Sequence, residues 1–242
     1  MVGGSNPLVP TFLPTDKTYV YEILITNDDG IDAPGLVALA NALSRVGRLT
    51  VVAPDRERSA ASHGITVFEP VVYHQVADRR FAVQGTPADC VITAVLQIMD
   101  EQPALVASGV NRGLNVGHDI FYSGTVAAAT EAVLQGIPAI AVSTHSDFKA
   151  AADLAAQLAH RVLKEGLPRD VLLNVNHPRH WNGQCRVTRQ GRRSPEPLTD
   201  HEALAAGYVS ICPLHINRSF LVDDSSWLHG FGELAIKGTK ST

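Results

Sequence analysis

The stretch of residues 23–35 constrains the fold more than any other part of the chain. It begins with the apolar, β-branched run Ile23-Leu24-Ile25, which predicts a buried strand. The run breaks at Asn27-Asp28-Asp29-Gly30. Pro34 then stands at the predicted first position of a helix, where the missing N–H of proline costs no hydrogen bond. Apolar residues follow at helical spacing, namely Leu36, Leu39, Ala40 and Leu43. A strand, an acidic turn and a helix in this order predict an α/β unit, in which ligands bind beyond the carboxyl end of the strand.

The acidic turn carries two adjacent carboxylates, Asp28 and Asp29. Such a pair is costly unless a cation lies between the two groups. The two side chains can converge only if the strand has ended by Asn27, and Gly30 permits that sharp exit. Oxygen ligands of this kind suit Mg²⁺, Mn²⁺ or Ca²⁺. Because an Asp-Gly pair is also a common turn, a metal site and a plain turn both remain open on these residues alone.

The rest of the chain alternates strand and helix patterns as far as Pro178. Strands are predicted at 49–53, 104–108, 139–142 and 171–175, with irregular strands between 68 and 83 and helices starting near Thr86, Ser123 and after Val142. This alternation predicts an α/β fold with a doubly wound, mostly parallel, Rossmann-like sheet. Beyond Pro178, the short strands predicted at 185–189 and 208–212 lack alternating helices. We therefore expect a loose N-terminal arm (1–19), a Rossmann-like core (20–178), and a β-rich accessory segment with a C-terminal tail (179–242).

Polar loops follow the second and third strands at the same edge of the predicted sheet. In the first loop, Arg56 and Arg58 can attract an anion and Ser59 can bind a metal or phosphate, although a solvated loop fits equally well. The second loop, 109–117, contains three glycines and two asparagines, so its backbone can approach a ligand closely. Ser123-Gly124-Thr125 then opens a helix with free N–H groups, which is either an anion site or an ordinary cap.

Composition excludes several classes of protein. The net charge of −4 argues against a non-specific binder of nucleic-acid polymers, which would be basic. Three widely spaced cysteines without a C-x-x-C pattern indicate reduced thiols and a cytoplasmic location. No apolar run is long enough to span a membrane, so no membrane partner is expected.

Three separated stretches match one family: residues 25–31 with Ala33-Pro34-Gly35, residues 52–59, and residues 108–111 continuing through 122–129. Residues 85–90, 207–210 and 213–214 add support. In these stretches the chain closely resembles the SurE survival-protein family, metal-dependent 5′/3′-nucleotidases of the cytoplasm. The match extends from about Val20 to about Leu214.

The resemblance implies a site and an activity. It assigns one divalent metal ion per subunit, Mg²⁺ or Mn²⁺, to Asp28, Asp29, Ser59 and Asn111, and a phosphate pocket to Asn115, Ser123, Gly124 and Thr125. The implied reaction is hydrolysis of a nucleoside monophosphate to nucleoside and phosphate, with Asp28 or Asp29 as the catalytic carboxylate that takes the proton of the attacking water. The alternative is a non-catalytic nucleotide- or phosphate-binding module. The paired carboxylates argue against it, because a pure anion binder gains nothing from negative charge beside the phosphate.

The chain departs from the family pattern in two places. The N-terminal arm is extra, and the connection between Arg193 and Gly207 is shorter than in relatives, where the resemblance implies that this region serves subunit association. We therefore expect a homodimer and not a tetramer. Apolar residues of the tail either pack on their own subunit or on a partner: Phe220, Leu221, Val222, Trp227, Leu228 and Phe231.

Overall fold

The computed structural model describes residues 20–191 and 199–217. The predicted N-terminal arm (1–19), the first part of the shortened connection (192–198) and the tail from residue 218, with its apolar residues, lie outside this part of the chain.

The described residues form one nine-stranded sheet in the order β3-β4-β2-β1-β5-β6-β7-β9-β8. The strands are β1 (Glu22–Thr26), β2 (Arg48–Pro54), β3 (Tyr73–Ala77), β4 (Arg80–Val83), β5 (Leu105–Arg112), β6 (Ala139–Thr144), β7 (Val171–His177), β8 (Cys185–Val187) and β9 (Val209–His215). Within this sheet order, the neighbours from β4 through β2, β1, β5 and β6 to β7 all pair in parallel. The strand β3 pairs antiparallel with β4, and β9 pairs antiparallel with β7. The fold is the expected α/β fold with a mostly parallel sheet.

Helices cover both faces of the sheet. They are α1 (Pro34–Leu43), α2 (Pro87–Thr93), α3 (Gly124–Leu134), α4 (Phe148–Glu165) and α5 (Asp200–Ala205). The helices α1 and α4 pack on one face, over Ile23 and Ile25, while α2 and α3 pack on the other, over Leu24. Because successive strand residues point to opposite faces, β1 is buried on both sides, as its continuous apolar run predicts. No helix in the described residues is both long and apolar enough to cross a membrane.

Two elements extend beyond their predicted limits. The strand β5 continues to Arg112, whereas the sequence places a loop from Gly109 onward. Its pairing with β6 breaks between Ser108 and Asn111 and then resumes, so a bulge accommodates the glycine without ending the strand. The strand β9 continues to His215, whereas the sequence predicts its end at 212. Together with β8 it extends the same sheet beside β7, and α5 lies between β8 and β9 in sequence.

The strand order places a switch point beside β1. The chain proceeds from β1 to β2 on one side, and β5, β6 and β7 continue on the other side. A crevice forms at such a point between loops that leave in opposite directions. The loops after β1, β2 and β5 therefore meet at one edge of the sheet.

Candidate active site

The turn after β1 is closed by the buried side chain of Asn27. Its Nδ2 donates to the carbonyl of Gly30 at 3.0 Å, and its Oδ1 accepts from the Gly30 N–H at 3.2 Å. Gly30 has φ +104°, and a Cβ there would lie 3.1 Å from the carbonyl carbon of Arg56. Only glycine fits this left-handed, crowded position. The turn directs Asp28 and Asp29 out of the sheet, as the sequence predicts.

Asp28 is buried against the first turn of α3. Its Oδ1 accepts a hydrogen bond from the Thr125 hydroxyl at 2.5 Å. Gly124 lies directly against it, since a Cβ at that position would be 2.8 Å from the Asp28 Cβ. Burial raises the pKa of Asp28 to about 6, the hydroxyl and amide of Thr125 oppose that rise, and the charge of Asp29 adds to it. A carboxylate held in this way is costly to keep ionised without a nearby cation.

Asp29 is more exposed than Asp28 and lies closer to other charges. Burial raises the pKa of the Asp29 carboxyl, and the carboxylate of Glu57 raises it further. The backbone amide and guanidinium of Arg112 act in the opposite direction. Both members of the acidic pair are therefore in surroundings that favour a proton or a metal ion over a free negative charge.

A cavity of about 650 Å³ opens at this edge of the sheet. Six of the eight predicted site residues line it: Asp28, Asp29, Ser59, Asn111, Asn115 and Ser123. The other two, Gly124 and Thr125, lie behind Asp28. Residues that are far apart in sequence thus meet around one space.

The two neutral residues predicted to bind metal are held by local hydrogen bonds. The Ser59 hydroxyl donates to Glu57 Oε1 at 2.6 Å, which leaves its oxygen lone pairs available. Asn111 donates through Nδ2 to the carbonyl of Gly113 at 2.9 Å. The amide nitrogen is thereby engaged, and the amide oxygen is the atom left to accept a cation.

Asn115 is fixed by two buried asparagines of β7. Its N–H donates to Asn176 Oδ1 at 2.8 Å, and its carbonyl accepts from the amides of Asn174 and Asn176 at 2.8 and 3.0 Å. Its side-chain nitrogen donates to the Ser143 hydroxyl at 2.8 Å. These three partners were not predicted from the sequence. Two asparagines in a buried strand are nevertheless a recognisable signal, because buried polar groups require partners.

Ser123 caps α3, and its hydroxyl oxygen accepts from the Val126 N–H at 3.1 Å. The hydroxyl proton and the N-terminal end of the helix remain at the cavity wall, where an anion is favoured. Both donors of Thr125 point to Asp28 instead. The assignment of Thr125 to the phosphate pocket stays a prediction, while its contact with Asp28 is direct.

The cavity lining also includes charged and aromatic residues that the sequence did not single out for it: Glu57, Arg112, Asp119, Tyr122 and Phe148. The guanidinium of Arg112 lies 5.4 Å from the centre of the Phe148 ring. Neither Arg56 nor Arg58 lines the cavity, and Arg58 faces Asp55 at 3.7 Å. Nothing in the local sequence distinguishes Arg112 from those two arginines, since its position depends on the bulged end of β5.

The charges around the cavity fit a bound divalent cation. Four carboxylates line it (Asp28, Asp29, Glu57 and Asp119) against one arginine. The described residues contain no group of three or more His, Cys, Asp and Glu side chains able to hold a metal. The predicted ligands Asp28, Asp29, Ser59 and Asn111 would offer a cation only oxygen donors, a set typical of Mg²⁺ or Mn²⁺ and not of zinc.

Comparisons with known proteins identify the family of this chain. The family described as "Survival protein SurE" matches residues 23–197. The "5'-nucleotidase SurE" of Geobacter sulfurreducens is 47% identical over 230 residues, which cover 81% of this chain and 88% of the relative. That of Moorella thermoacetica is 43% identical over 234 residues, covering 81% and 90%. The crystal structure of the SurE protein from Aquifex aeolicus superposes with a TM-score of 0.78 at 36% identity, covering 87% of this chain and 97% of that one. The chain belongs to the SurE survival-protein family.

Proposed function

We propose that this protein is a divalent-metal-dependent phosphomonoesterase, a 5′/3′-nucleotidase that hydrolyses nucleoside monophosphates to nucleoside and phosphate. One observation carries the proposal: the paired carboxylates Asp28 and Asp29 and the N-terminal end of α3 at Ser123 line the same cavity. The first group suits a cation and the second suits a phosphate. The relatives from Geobacter sulfurreducens and Moorella thermoacetica are named as 5'-nucleotidases, which supports the class of substrate.

Asp28, Asp29, Ser59 and Asn111 are the residues that would hold one Mg²⁺ or Mn²⁺ ion. When bound, such an ion supplies positive charge for the phosphate oxygens and Lewis acidity toward water. Ser59 and Asn111 each present an oxygen whose neighbouring groups are already fixed by hydrogen bonds. This fixation reduces the ordering that ligand binding requires.

The remaining side chains position the phosphate and the attacking water. The Ser123 hydroxyl and the first turn of α3 bind the phosphate oxygens, and their donors stabilise charge that develops in the transition state. Asn115 is held rigidly at the same wall by β7. Asp28 or Asp29 takes the proton of the water that attacks phosphorus in line. Thr125 keeps Asp28 oriented through its hydroxyl.

A non-catalytic phosphate-binding module fits the cavity less well. With four carboxylates around the space, a phosphate dianion would be repelled unless a cation were also present. A protein that only binds anions gains nothing from carboxylates around its site, whereas metal-assisted hydrolysis uses carboxylates to hold the cation.

The test measures phosphate release from nucleoside monophosphates by three variants. Asp28→Asn and Asp29→Asn should each lower kcat/KM by about 10²-fold or more, because both remove a metal ligand and a candidate base. Asp32→Asn is the matched control on the same loop, since the Asp32 side chain is 92% exposed and pairs only with Arg80 at 3.2 Å among the described residues. EDTA should abolish the activity of the unmodified protein, and Mn²⁺ should restore it. Near-normal turnover by either active-site variant would refute the assignment.

A homodimer and a cytoplasmic location complete the proposal. The shortened connection removes a region that the resemblance links to association beyond the dimer, and apolar side chains remain to be covered. In the described residues, Phe68 is 99% exposed. Light scattering at several concentrations should give twice the chain mass of 25.9 kDa. A monomer throughout, or a stable tetramer, would contradict this prediction.

A further inference from the structure

A second cavity, of about 800 Å³, adjoins the candidate active site. Leu114 lines both cavities, Asn115 lines the first and Val116 lines the second, so three consecutive residues form the partition. The opposite wall consists of the loop after β7 and the end of α5. Two spaces that share a wall residue suit one ligand with two chemically different ends.

The walls of this second cavity are tied together. The N–H of Asn182 donates to the carbonyl of Gly207 at 2.9 Å, and its Nδ2 donates to the carbonyl of Ala206 at 3.1 Å. These bonds join the loop after β7 to the turn after α5. Since β7 also fixes Asn115 through Asn176, the two cavities are built on a common strand.

Trp181 is an aromatic residue in the lining of the second cavity. Its indole N–H donates to the carbonyl of Gln184 at 3.0 Å, and its ring meets His177 edge to face at 5.4 Å. The residue nevertheless remains 46% exposed. An aromatic ring that is fixed by its neighbours and still accessible is a preorganised stacking surface.

The polar groups of the second cavity differ from those of the first. No carboxylate lines it among the described residues, and four basic side chains do: His145, Arg179, His180 and His201. None of these four side chains has a hydrogen-bond or ion-pair partner within residues 20–191 and 199–217. They stand beside the apolar residues Leu204 and Ala205. Aromatic and apolar surface with a few unengaged donors is typical of a site for a planar heterocycle. Among the described residues, the histidines of this cavity are not grouped closely enough to hold a metal ion.

We propose that this second cavity binds the nucleoside end of the substrate, with the base stacked on Trp181, while the phosphate occupies the first cavity. The inference rests on the proposed function for the position of the phosphate. It extends that function by assigning the recognition of the base to Trp181 and the loop after β7.

The test compares a nucleotide with a sugar phosphate that lacks a base. In Trp181→Ala, kcat/KM for adenosine monophosphate should fall about tenfold, because a base–aromatic stack is lost. The same variant should hydrolyse ribose 5-phosphate at the rate of the unmodified protein. Trp181→Phe keeps a stacking ring and should restore most of the loss. Thermal unfolding of both variants identifies any general loss of the fold.

A binding measurement separates this inference from the proposed function. Calorimetric titration with adenosine requires no turnover, and its dissociation constant should rise about tenfold in Trp181→Ala and little in Trp181→Phe. If adenosine binds in this way but no phosphate is released from any nucleotide, the proposed function fails and the base site stands. If Trp181→Ala leaves adenosine binding unchanged, or lowers activity equally on both substrates, the base site is refuted. A base-selective loss in Tyr122→Ala alone would place the base in the first cavity and also refute it.

Discussion

Thr125 shows how one buried hydroxyl controls a carboxylate. Its side chain is completely buried and donates to Asp28 Oδ1 at 2.5 Å. In Thr125→Val, which preserves the shape, Asp28 loses this donor, and we expect the free energy of unfolding to fall by about 1–3 kcal/mol. The Mn²⁺ concentration for half-maximal activity should rise, because the carboxylate is no longer held in place. Urea unfolding and metal titration of the activity measure the two effects.

Thr125→Ser provides the matched control, since it keeps the hydroxyl and removes only a methyl group. It should retain the metal requirement of the unmodified protein. If the valine variant also retained that requirement, Thr125 would have only a packing role, and the hydrogen bond to Asp28 would not position a ligand.

The conformation of a residue could be predicted from the sequence where neighbouring residues determine it. Where residues far away in the chain hold it in place, it could not be predicted. The left-handed backbone of Gly30 follows from the Asn-Asp-Asp-Gly run itself. By contrast, Asn115 is held by residues about sixty positions away, and that pairing exists only once β7 has joined the sheet. The resemblance assigned Asn115 to the site, but the reason why its backbone is held there, the bonds to Asn174 and Asn176, is visible only in the structure.

A hydrogen bond between His63 and Glu131 joins the loop that carries Ser59 to α3. His63 Nε2 lies 3.0 Å from Glu131 Oε2, and Gln135 donates to the other carboxylate oxygen at 2.9 Å. The hydrogen bond from His63 is the main cause that lowers the pKa of Glu131 below its ordinary value of 4.5. A carboxyl group with a depressed pKa in the folded state stabilises the fold above that ordinary value, and this contribution disappears as the pH falls through the depressed value.

Glu131→Gln should therefore lower the free energy of unfolding at pH 7 more than at pH 3. Urea unfolding of the variant and the unmodified protein at both pH values measures the difference. In the His63→Ala background, Glu131→Gln should lower the free energy of unfolding at pH 7 by less, because the hydrogen-bond partner of Glu131 is already absent. An undiminished difference at pH 3 would show that ionisation of Glu131 does not contribute.

Helices and strands were predicted well where a local sequence pattern defines them. They were predicted less well where pairing with another strand sets their length or their place in the sheet. The two-sided burial of β1 and the start of α2 after Thr86 follow directly from the residues. The extension of β5 past Gly109 depends on its pairing with β6, which no local pattern reveals. For the same reason the sequence indicated short strands after Pro178 but did not show that β9 and β8 continue the core sheet.

The order of the strands explains why this chain has a site at all. With β1 between β2 and β5, the loops that carry Asp28 and Ser59 and the end of β5 that carries Asn111 lie at the same edge of the sheet. Folding thus brings together carboxylates that repel one another, and part of the stability of the sheet is offset by that repulsion. A cation that binds only the folded state would relieve it.

Thermal unfolding of the whole protein should consequently respond to a divalent metal. At a Mn²⁺ concentration about 100 times the dissociation constant, binding to the folded state adds about 2.7 kcal/mol. For a chain of this size, that corresponds to a rise in Tm of about 5–10 °C. Asp32→Asn should show the full rise, because its side chain is exposed and lies outside the cavity. The double variant Asp28→Asn with Asp29→Asn should show none, since both carboxylate ligands are gone. A rise of equal size in the double variant would mean that the ion binds elsewhere, and the paired aspartates would then lose their assignment as the metal site.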